Sequence, residues 1–253
     1  MYYVERKISQ NTNALTNYNN MDIAQTKKRR TPLDERVLPD YTKGEEIFNM
    51  VSHIVGGAMA IAILVLCIIM AATRGNAWGV VSSCIYGVSM IDLYCMSAIY
   101  HGLKKGKAKK VMQVLDHCTI YFLIAGTYTP VALVSLREHY PVIGWVVFGI
   151  VWGLCAIATT FTAIDLKKYS LFSNICYLGM GWCIIIFIKQ TWLSIGPKAF
   201  FFILAGGIAY TVGAILYGLG TKIRYMHCVF HILIIVGSFL QFWAIIFYIL
   251  PTH

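Results

Sequence analysis

The sequence predicts an all-α membrane protein with seven transmembrane helices, an N-terminus in the cytoplasm and a C-terminus outside. Three observations support this fold class: long uncharged apolar runs, short polar connections between them, and an uneven distribution of Lys and Arg. Of the 253 residues, 58% are hydrophobic and only 13% are charged. Helices that lie in lipid require long uncharged runs of this kind, because the hydrocarbon core offers no water to charged groups.

Seven apolar runs follow residue 45, and each is long enough to cross a hydrocarbon core of ~30 Å, which takes about 20 helical residues. They cover roughly residues 49–72, 78–101, 111–134, 142–164, 170–190, 198–219 and 227–250. The fifth run is the weakest, since Lys189 and Gln190 close it and Pro197 follows. The connections leave no room for a soluble domain, so residues 45–253 are predicted to form one seven-helix transmembrane domain.

The orientation follows from the loops that carry Lys and Arg. With the N-terminus inside, the three inner loops contain nine basic residues, five of them between Lys104 and Lys110, and the outer loops contain four. Basic residues are enriched in cytoplasmic loops. We therefore expect a multi-pass protein of the cell membrane, with a cytoplasmic N-terminus and an external C-terminus.

Residues 1–44 differ in composition from the rest of the chain. They are polar, rich in Asn, and contain the basic cluster Lys27-Lys28-Arg29-Arg30. Such a segment has too few apolar residues to form a core, so it is predicted to be a disordered cytoplasmic tail. The cluster is interpreted as a flank that contacts anionic lipid. Nucleic-acid binding is not expected, because no basic fold or aromatic platform accompanies it.

The eight cysteines contain no Cys-x-x-Cys pair. They lie inside or beside the apolar runs. We interpret them as small buried hydrophobic residues rather than as a disulfide framework.

Polar residues of three predicted helices meet at one depth. The second helix runs inward and ends at His101, with Ser97 one turn deeper on the same side. The third starts inside, and Asp116 lies near its beginning. The last helix also starts inside, at His227 and His231, which share one face because they are four residues apart. Ionisable groups in membrane helices mark functional sites. The topology that places these residues at one depth is predicted from Lys and Arg alone, so their agreement in depth is an independent observation.

Three imidazoles and an oxygen donor suit Zn²⁺, which favours four-coordinate, nitrogen-rich sites. A catalytic zinc has three protein ligands and leaves the fourth position to water. Asp116 is then predicted to hold or deprotonate that water, and Ser97 to orient His101 or a substrate carbonyl. Two alternatives remain open: a polar cluster that packs the helices without metal, and Fe²⁺ or another first-row ion in the same site.

The sequence resembles the hemolysin III group of the progestin and adipoQ receptor superfamily, which includes the adiponectin receptors. The similarity covers about residues 45–250. The matching motifs are, in order, Glu46-x-x-Asn49-x-x-Ser52-His53, Ser97-x-x-Tyr100-His101, Asp116-His117, Ala125-Gly126-Thr127-Tyr128-Thr129-Pro130, Gly181-Trp182, Gly206-Gly207-x-x-Tyr210-x-x-Gly213, His227-x-x-x-His231 and Gly237-Ser238.

The resemblance implies a seven-helix fold with its N-terminus inside and zinc held by His101, His227 and His231. Asp116 matches the aspartate that the family places beside the zinc, and Ser97 matches its serine on the second helix. Receptor members of the superfamily have been linked to ceramidase activity. We expect no hormone-binding ectodomain, because only three residues follow Leu250, so receptor function is not carried over.

Two functions of different classes are compatible with these residues. The first is a zinc-dependent hydrolase that acts on an amide or ester of a membrane lipid. The second is a non-enzymatic membrane protein, either a cytolysin that forms a pore or a regulator of membrane composition, in which zinc is structural. A pore requires polar residues at every depth of several helices, whereas here the ionisable groups cluster at one end. This distribution favours the hydrolase.

Other polar residues in the helices have less certain roles. His117 is 100° around the helix from Asp116 and is interpreted as an interhelical or supporting residue. His53 forms a helical stripe with Glu46 and Asn49, which either caps the site or packs the first helix. Asp92 faces away from His101 and is interpreted as an interhelical hydrogen-bonding group.

Overall fold

Residues 30–74, 76–220 and 223–252 are described by a computed structural model, and they form helices and connecting turns without a strand. The long helices are α1 Lys43–Thr73, α2 Ala77–Gly102, α3 Lys107–Pro130, α4 Pro141–Ile164, α5 Ser170–Trp182, α6 Ile188–Leu219 and α7 Met226–Ala244. Three of them are extended by tighter or wider turns: α3 by Val131–Leu136 and Arg137–His139, α5 by Cys183–Phe187, and α7 by Ile245–Ile249. The predicted all-α class is confirmed.

Six stretches of the described residues are long and apolar enough to cross a membrane. They are Lys43–Thr73, Ala77–Gly102, Lys107–His139, Pro141–Ile164, Ser170–Leu219 and Met226–Ile249. The fifth stretch has 50 residues and contains the fifth and sixth runs of the sequence analysis. Its helix is broken at Gly196, where φ is 73° and ψ is 168°, immediately before Pro197. The count of seven spans and the orientation of the termini stay predictions.

The first two long helices begin at polar caps, Thr42 for α1 and Asn76 for α2, ahead of their apolar runs. At α1 the Thr42 hydroxyl accepts the N–H of Glu45, and the Glu45 carboxylate accepts the N–H of Thr42, which is a capping box. The other oxygen of Glu45 accepts the N–H of Tyr225 at 2.7 Å. The first turn of α1 is thereby joined to the start of α7.

The helices form a closed arrangement in which sequence neighbours pack together and α1 returns to α7. The α3 stretch is the most buried of the spanning segments. Polar links join helices that are distant in sequence: the hydroxyl of Ser238 on α7 lies 2.9 Å from both the Tyr94 hydroxyl of α2 and the Tyr210 hydroxyl of α6. None of the eight cysteines forms a disulfide, and four of them are buried.

The segment before α1 lies across the helix ends on the side of the predicted inner loops. The N–H of Thr31 donates to the Asp165 carboxylate at 2.6 Å, and Asp40 pairs with Lys105 at 2.7 Å. Burial alone would raise the pKa of Asp165, but hydrogen bonds from backbone N–H groups outweigh burial and lower it. The predicted disordered tail covers residues 1–44. Residues 1–29, with the basic cluster up to Arg29, lie outside the described residues, whereas residues 30–42 make the contacts given above.

Gly144 of α4 tests how closely the α3–α4 corner is packed. A Cβ there would lie 2.6 Å from the Cα of Arg137 and 2.7 Å from the carbonyl oxygen of Ala132, both backbone atoms. We expect Gly144→Ala to lower the free energy of unfolding by about 1–2 kcal/mol, because overlap of about 1–3 kcal/mol exceeds the gain in helix propensity. Thermal unfolding in detergent measures the change.

Gly149→Ala is the matched control on the same helix, because nothing lies within 4 Å of its added Cβ. It should keep or slightly raise the melting temperature. Equal melting temperatures for the two variants would show that the corner is not tightly packed.

Candidate metal centre

Three histidines from two helices meet inside the bundle. The Nε2 atom of His227 lies 3.3 Å from the Nε2 of His101 and 3.1 Å from the Nε2 of His231. All three residues are buried, with exposures of 5% or less. Among the described residues they form a group whose donor atoms lie within 4.8 Å of one another, as a shared metal ion requires.

The local folds of α2 and α7 produce this arrangement. Tyr225 adopts a left-handed conformation with φ 65°, and α7 begins at the next residue. The first turn of α7 therefore presents His227 and His231 on one face, one turn apart. His101 comes from the last turn of α2, which ends at Gly102. The metal centre lies where the end of one helix meets the beginning of another.

A carboxylate on α1 orients the His101 ring. Glu46 Oε2 lies 2.7 Å from His101 Nδ1, and Glu46 Oε1 lies 2.8 Å from the ammonium of Lys109. Lys109 is buried and also donates to the carbonyl oxygens of His101 and Leu103. A proton on Nδ1 leaves the Nε2 lone pair of His101 free to face the other imidazoles. Carboxylates commonly hold metal-binding histidines in this way.

The residues fit a zinc ion. Tetrahedral zinc with bonds of 2.0–2.1 Å to nitrogen separates its ligand atoms by about 3.3 Å, close to the two observed separations. Three neutral imidazoles whose Nε2 atoms approach one another repel unless a proton or a cation lies among them. The Nδ1 atoms of His227 and His231 make no well-formed hydrogen bond within the described residues, although the backbone of Asn49 is close enough to act on the His231 ring.

Two aromatic rings flank the cluster on opposite sides. Tyr41 stacks on His227, with ring centroids 4.8 Å apart and planes 19° apart. His53 stacks on His231 at 3.8 Å and 25°. Burial raises the pKa of Tyr41, so its hydroxyl stays protonated. Tyr41 belongs to the segment that crosses the helix ends, and therefore that segment covers the metal centre.

His53 and Asn49 are buried polar residues on the face of α1 that carries Glu46. Both ring nitrogens of His53 and both side-chain polar atoms of Asn49 have no hydrogen-bond partner in the described part of the chain. An unmade hydrogen bond of a buried group costs about 1–3 kcal/mol. His53 lies against the site because it stacks on His231 and lines the same cavity.

Ser97 and Asp116 line the same cavity as His53, His227 and His231. The cavity has a volume of about 500 Å³. Along α3 its wall runs from Asp116 to Val131, which is roughly 22 Å at 1.5 Å per residue. Beyond the histidines the walls are mostly apolar. Both residues predicted to be catalytic therefore line the same cavity as two of the three histidines, and the Asp116 carboxylate lies outside the group of metal donors. Their catalytic roles stay predictions.

The remaining candidates differ in outcome. His117 is interhelical, as predicted: its Nε2 lies 3.0 Å from the Tyr217 hydroxyl of α6, and its Nδ1 lies 2.8 Å from the carbonyl oxygen of Gln113. Asp92 is exposed on α2, and it makes no hydrogen bond or ion pair with the described residues. Its predicted interhelical hydrogen bond is therefore not observed.

Sequence reasoning missed the roles of Tyr41 and Lys109 and left that of Glu46 open. The spacing of Glu46, Asn49 and His53 could have indicated the role of Glu46, because it places the three residues on one face of α1. No sequence pattern marks Tyr41, which acts through tertiary contact alone. The sequence places Lys109 in a basic loop, where a charged residue suggests exposure, but its side chain is only 2% exposed.

Comparison with known proteins identifies the family of this chain. A family model described as Haemolysin-III related matches residues 41–242, which include all three histidines and Asp116. Hemolysin-3 of Bacillus cereus is 39% identical over 208 residues, or 82% of this chain and 93% of that protein. A Hemolysin-3 homolog of Bacillus subtilis (strain 168) is 38% identical over 208 residues, or 82% of this chain and 96% of that protein. The chain is a multi-pass membrane protein that belongs to the Haemolysin-III related family.

Proposed function

We propose that this protein is a zinc-dependent hydrolase of the cell membrane that cleaves an amide or ester bond of a lipid. The observation that carries the proposal is the junction of a buried three-histidine group with a long apolar cavity. Pockets of 300–1,000 Å³ with apolar walls and a few convergent polar groups are typical of ligand sites. A lipid chain matches such walls, and its polar linkage matches the end occupied by Asp116 and Ser97.

The proposed ligands of zinc are His101, His227 and His231. When bound there, zinc would lower the pKa of a coordinated water to about 7 and polarise a carbonyl group. Asp116 accepts a proton from the attacking water, as a general base. Ser97 donates a hydrogen bond to the carbonyl oxygen, where negative charge develops. The cavity positions the chain and keeps other water away.

A non-enzymatic role with structural zinc is the second candidate. The names of the two relatives, Hemolysin-3 and Hemolysin-3 homolog, favour this non-enzymatic role. Against it, the group of donors contains three histidines, whereas structural zinc sites usually have four protein ligands. The depth distribution also disfavours a pore, because the His and Asp side chains of the cavity wall gather at one end.

The proposed topology has seven spans, with the N-terminus cytoplasmic and the C-terminus outside. A continuous 50-residue helix would be ~75 Å long, more than twice the ~30 Å hydrocarbon core. The break at Gly196 supports two separate crossings, residues 170–195 and 197–219, each long enough to span. The basic loops between α2 and α3 and between α4 and α5 would then face the cytoplasm.

Metal removal tests the zinc site. Purified protein should contain about one zinc per chain, and zinc at about 100 times its Kd should raise the melting temperature on the order of 5–10 °C, because the ion binds only the folded state. His101→Ala, His227→Ala and His231→Ala should each lose both the metal and the stabilisation. His139→Ala, at the opposite end of the bundle, is the matched control. Chelation that strips zinc without lowering the melting temperature would contradict a site that ties α2 to α7.

Asp116→Asn tests the mechanism, since it keeps the shape of the side chain but removes the base. Release of fatty acid from labelled ceramides and glycerolipids should fall by at least ~10²-fold, while zinc occupancy stays near wild type. Ser97→Ala should lower the rate about tenfold. Asp92→Asn, an exposed aspartate on α2, should leave the rate unchanged. Undiminished turnover in Asp116→Asn, or no zinc-dependent product from any lipid, would reject the mechanism.

Reporter fusions test the topology. A reporter inserted in the loop between Gly102 and Lys107 should be cytoplasmic, and one fused after His253 should be external, because seven spans separate the two termini to opposite sides. Protease protection of intact cells distinguishes the two locations. Finding both reporters on one side would reject the seven-span arrangement.

A further inference from the structure

A second, more polar volume adjoins the large cavity. It measures about 290 Å³ and is lined by Arg36, Gln113, His117, Lys167, Asn174 and Tyr217, among others. His117, Asn174, Tyr177 and Tyr217 line both volumes. The smaller volume, here termed the vestibule, therefore shares a wall with the end of the cavity that holds Asp116, the neighbour of His117.

Arg36 is the unusual residue of the vestibule. It is only 7% exposed, yet none of the ion pairs among the described residues includes it. Its one hydrogen bond is a long one, 3.5 Å from Nη2 to the carbonyl oxygen of Ile164, and its Nε has no partner in the described part of the chain. A buried cation without a carboxylate is costly. The vestibule thus has a requirement for an anion that no direct ion pair among the described residues meets.

The nearest acidic group, Asp165, meets this requirement only in part, because it attracts Arg36 electrostatically without a direct ion pair. The Asp165 carboxylate accepts the backbone N–H groups of Thr31, Lys167 and Lys168 and forms no ion pair with Arg36 within 4.0 Å. The vestibule wall contains no Asp or Glu, but it contains a second cation, Lys167, and the amides of Gln113 and Asn174. Several donors around two cations suit a group with several acceptor oxygens, and a guanidinium matches phosphate in geometry.

We propose that the vestibule binds the phosphate of a lipid whose acyl chain occupies the apolar cavity. The proposal deepens the proposed function, on which it rests for the lipid in the cavity, and names the substrate class: an acyl ester or amide of a phosphate-bearing lipid, rather than a neutral one. Arg36 is the specificity-determining residue. The shared wall at His117 and Tyr217 brings the head group next to Asp116, where the linkage would be cleaved.

Binding to purified full-length protein in detergent, followed by native mass spectrometry, tests the proposal without turnover. Phosphatidic acid should bind at least about tenfold more tightly than diacylglycerol with the same chains, the range expected for charge-assisted hydrogen bonds. Arg36→Gln keeps a donor for the Ile164 carbonyl but removes the charge, so it should abolish this preference. Arg36→Lys should restore part of it. Arg224→Ala removes an exposed charge near the same helix ends and should leave the preference intact.

The outcomes separate the possible sources of phosphate. Loss of the preference in Arg36→Gln, at an unchanged melting temperature, supports the proposal. Equal losses in Arg36→Gln and Arg224→Ala would reject it in favour of a general surface charge effect. Inorganic phosphate that binds without dependence on any acyl chain would also reject it, in favour of a free-anion site. Hydrolysis is measured separately: Arg36-dependent binding without hydrolysis rejects only the hydrolase, and hydrolysis without Arg36-dependent binding rejects only the vestibule.

Discussion

The close approach of three imidazoles inside a helical bundle is the constraint on which the site depends. Nitrogen atoms 3.1 and 3.3 Å apart require a cation or shared protons, and the groups around them fix how the helices meet. His101 joins α2 to α7, and Glu46 with Lys109 joins α1 and α3 to the same ring. Four helices therefore converge on one buried polar centre, and the apolar packing of the rest of the bundle surrounds it. A charge network of this kind is costly to bury, and its hydrogen-bonding groups all have partners only when every member is present.

The apolar cavity and the polar vestibule match the two parts of an amphiphilic molecule, its apolar chain and its polar head group. Aliphatic and aromatic side chains line the larger volume, and cations and amides line the smaller one. The wall they share contains Tyr217, whose ring centroid lies 5.4 Å from that of His227. A lipid linkage held near this wall would have its chain and its head group in matching surroundings. The segment before α1 contributes to both sites, since Tyr41 covers His227 and Arg36 reaches the vestibule.

Much of this arrangement could be predicted from the sequence, because membrane helices obey a few strong physical rules. Apolar length predicted the spanning segments, and helical spacing placed His227 beside His231. The predicted orientation, which rests on the Lys and Arg residues of the loops, placed His101 and Asp116 at the same depth in the membrane. The residues that were missed act through tertiary contact: Lys109 carries a charge, which in a sequence suggests exposure, and Tyr41 and Arg36 lie in a polar segment with no periodicity. The break at Gly196 is visible as Gly-Pro in the sequence, but its backbone conformation is not.

The central claim is that one metal ion is held by the three histidines, and X-ray absorption at the zinc edge of the purified protein tests it most directly. The account predicts zinc with three imidazole nitrogens and one further light atom at 2.0–2.1 Å, and the loss of this spectrum in His231→Ala but not in His139→Ala. Sulfur scattering at about 2.3 Å, which would assign the metal to cysteines, or a spectrum unchanged in His231→Ala, would contradict it.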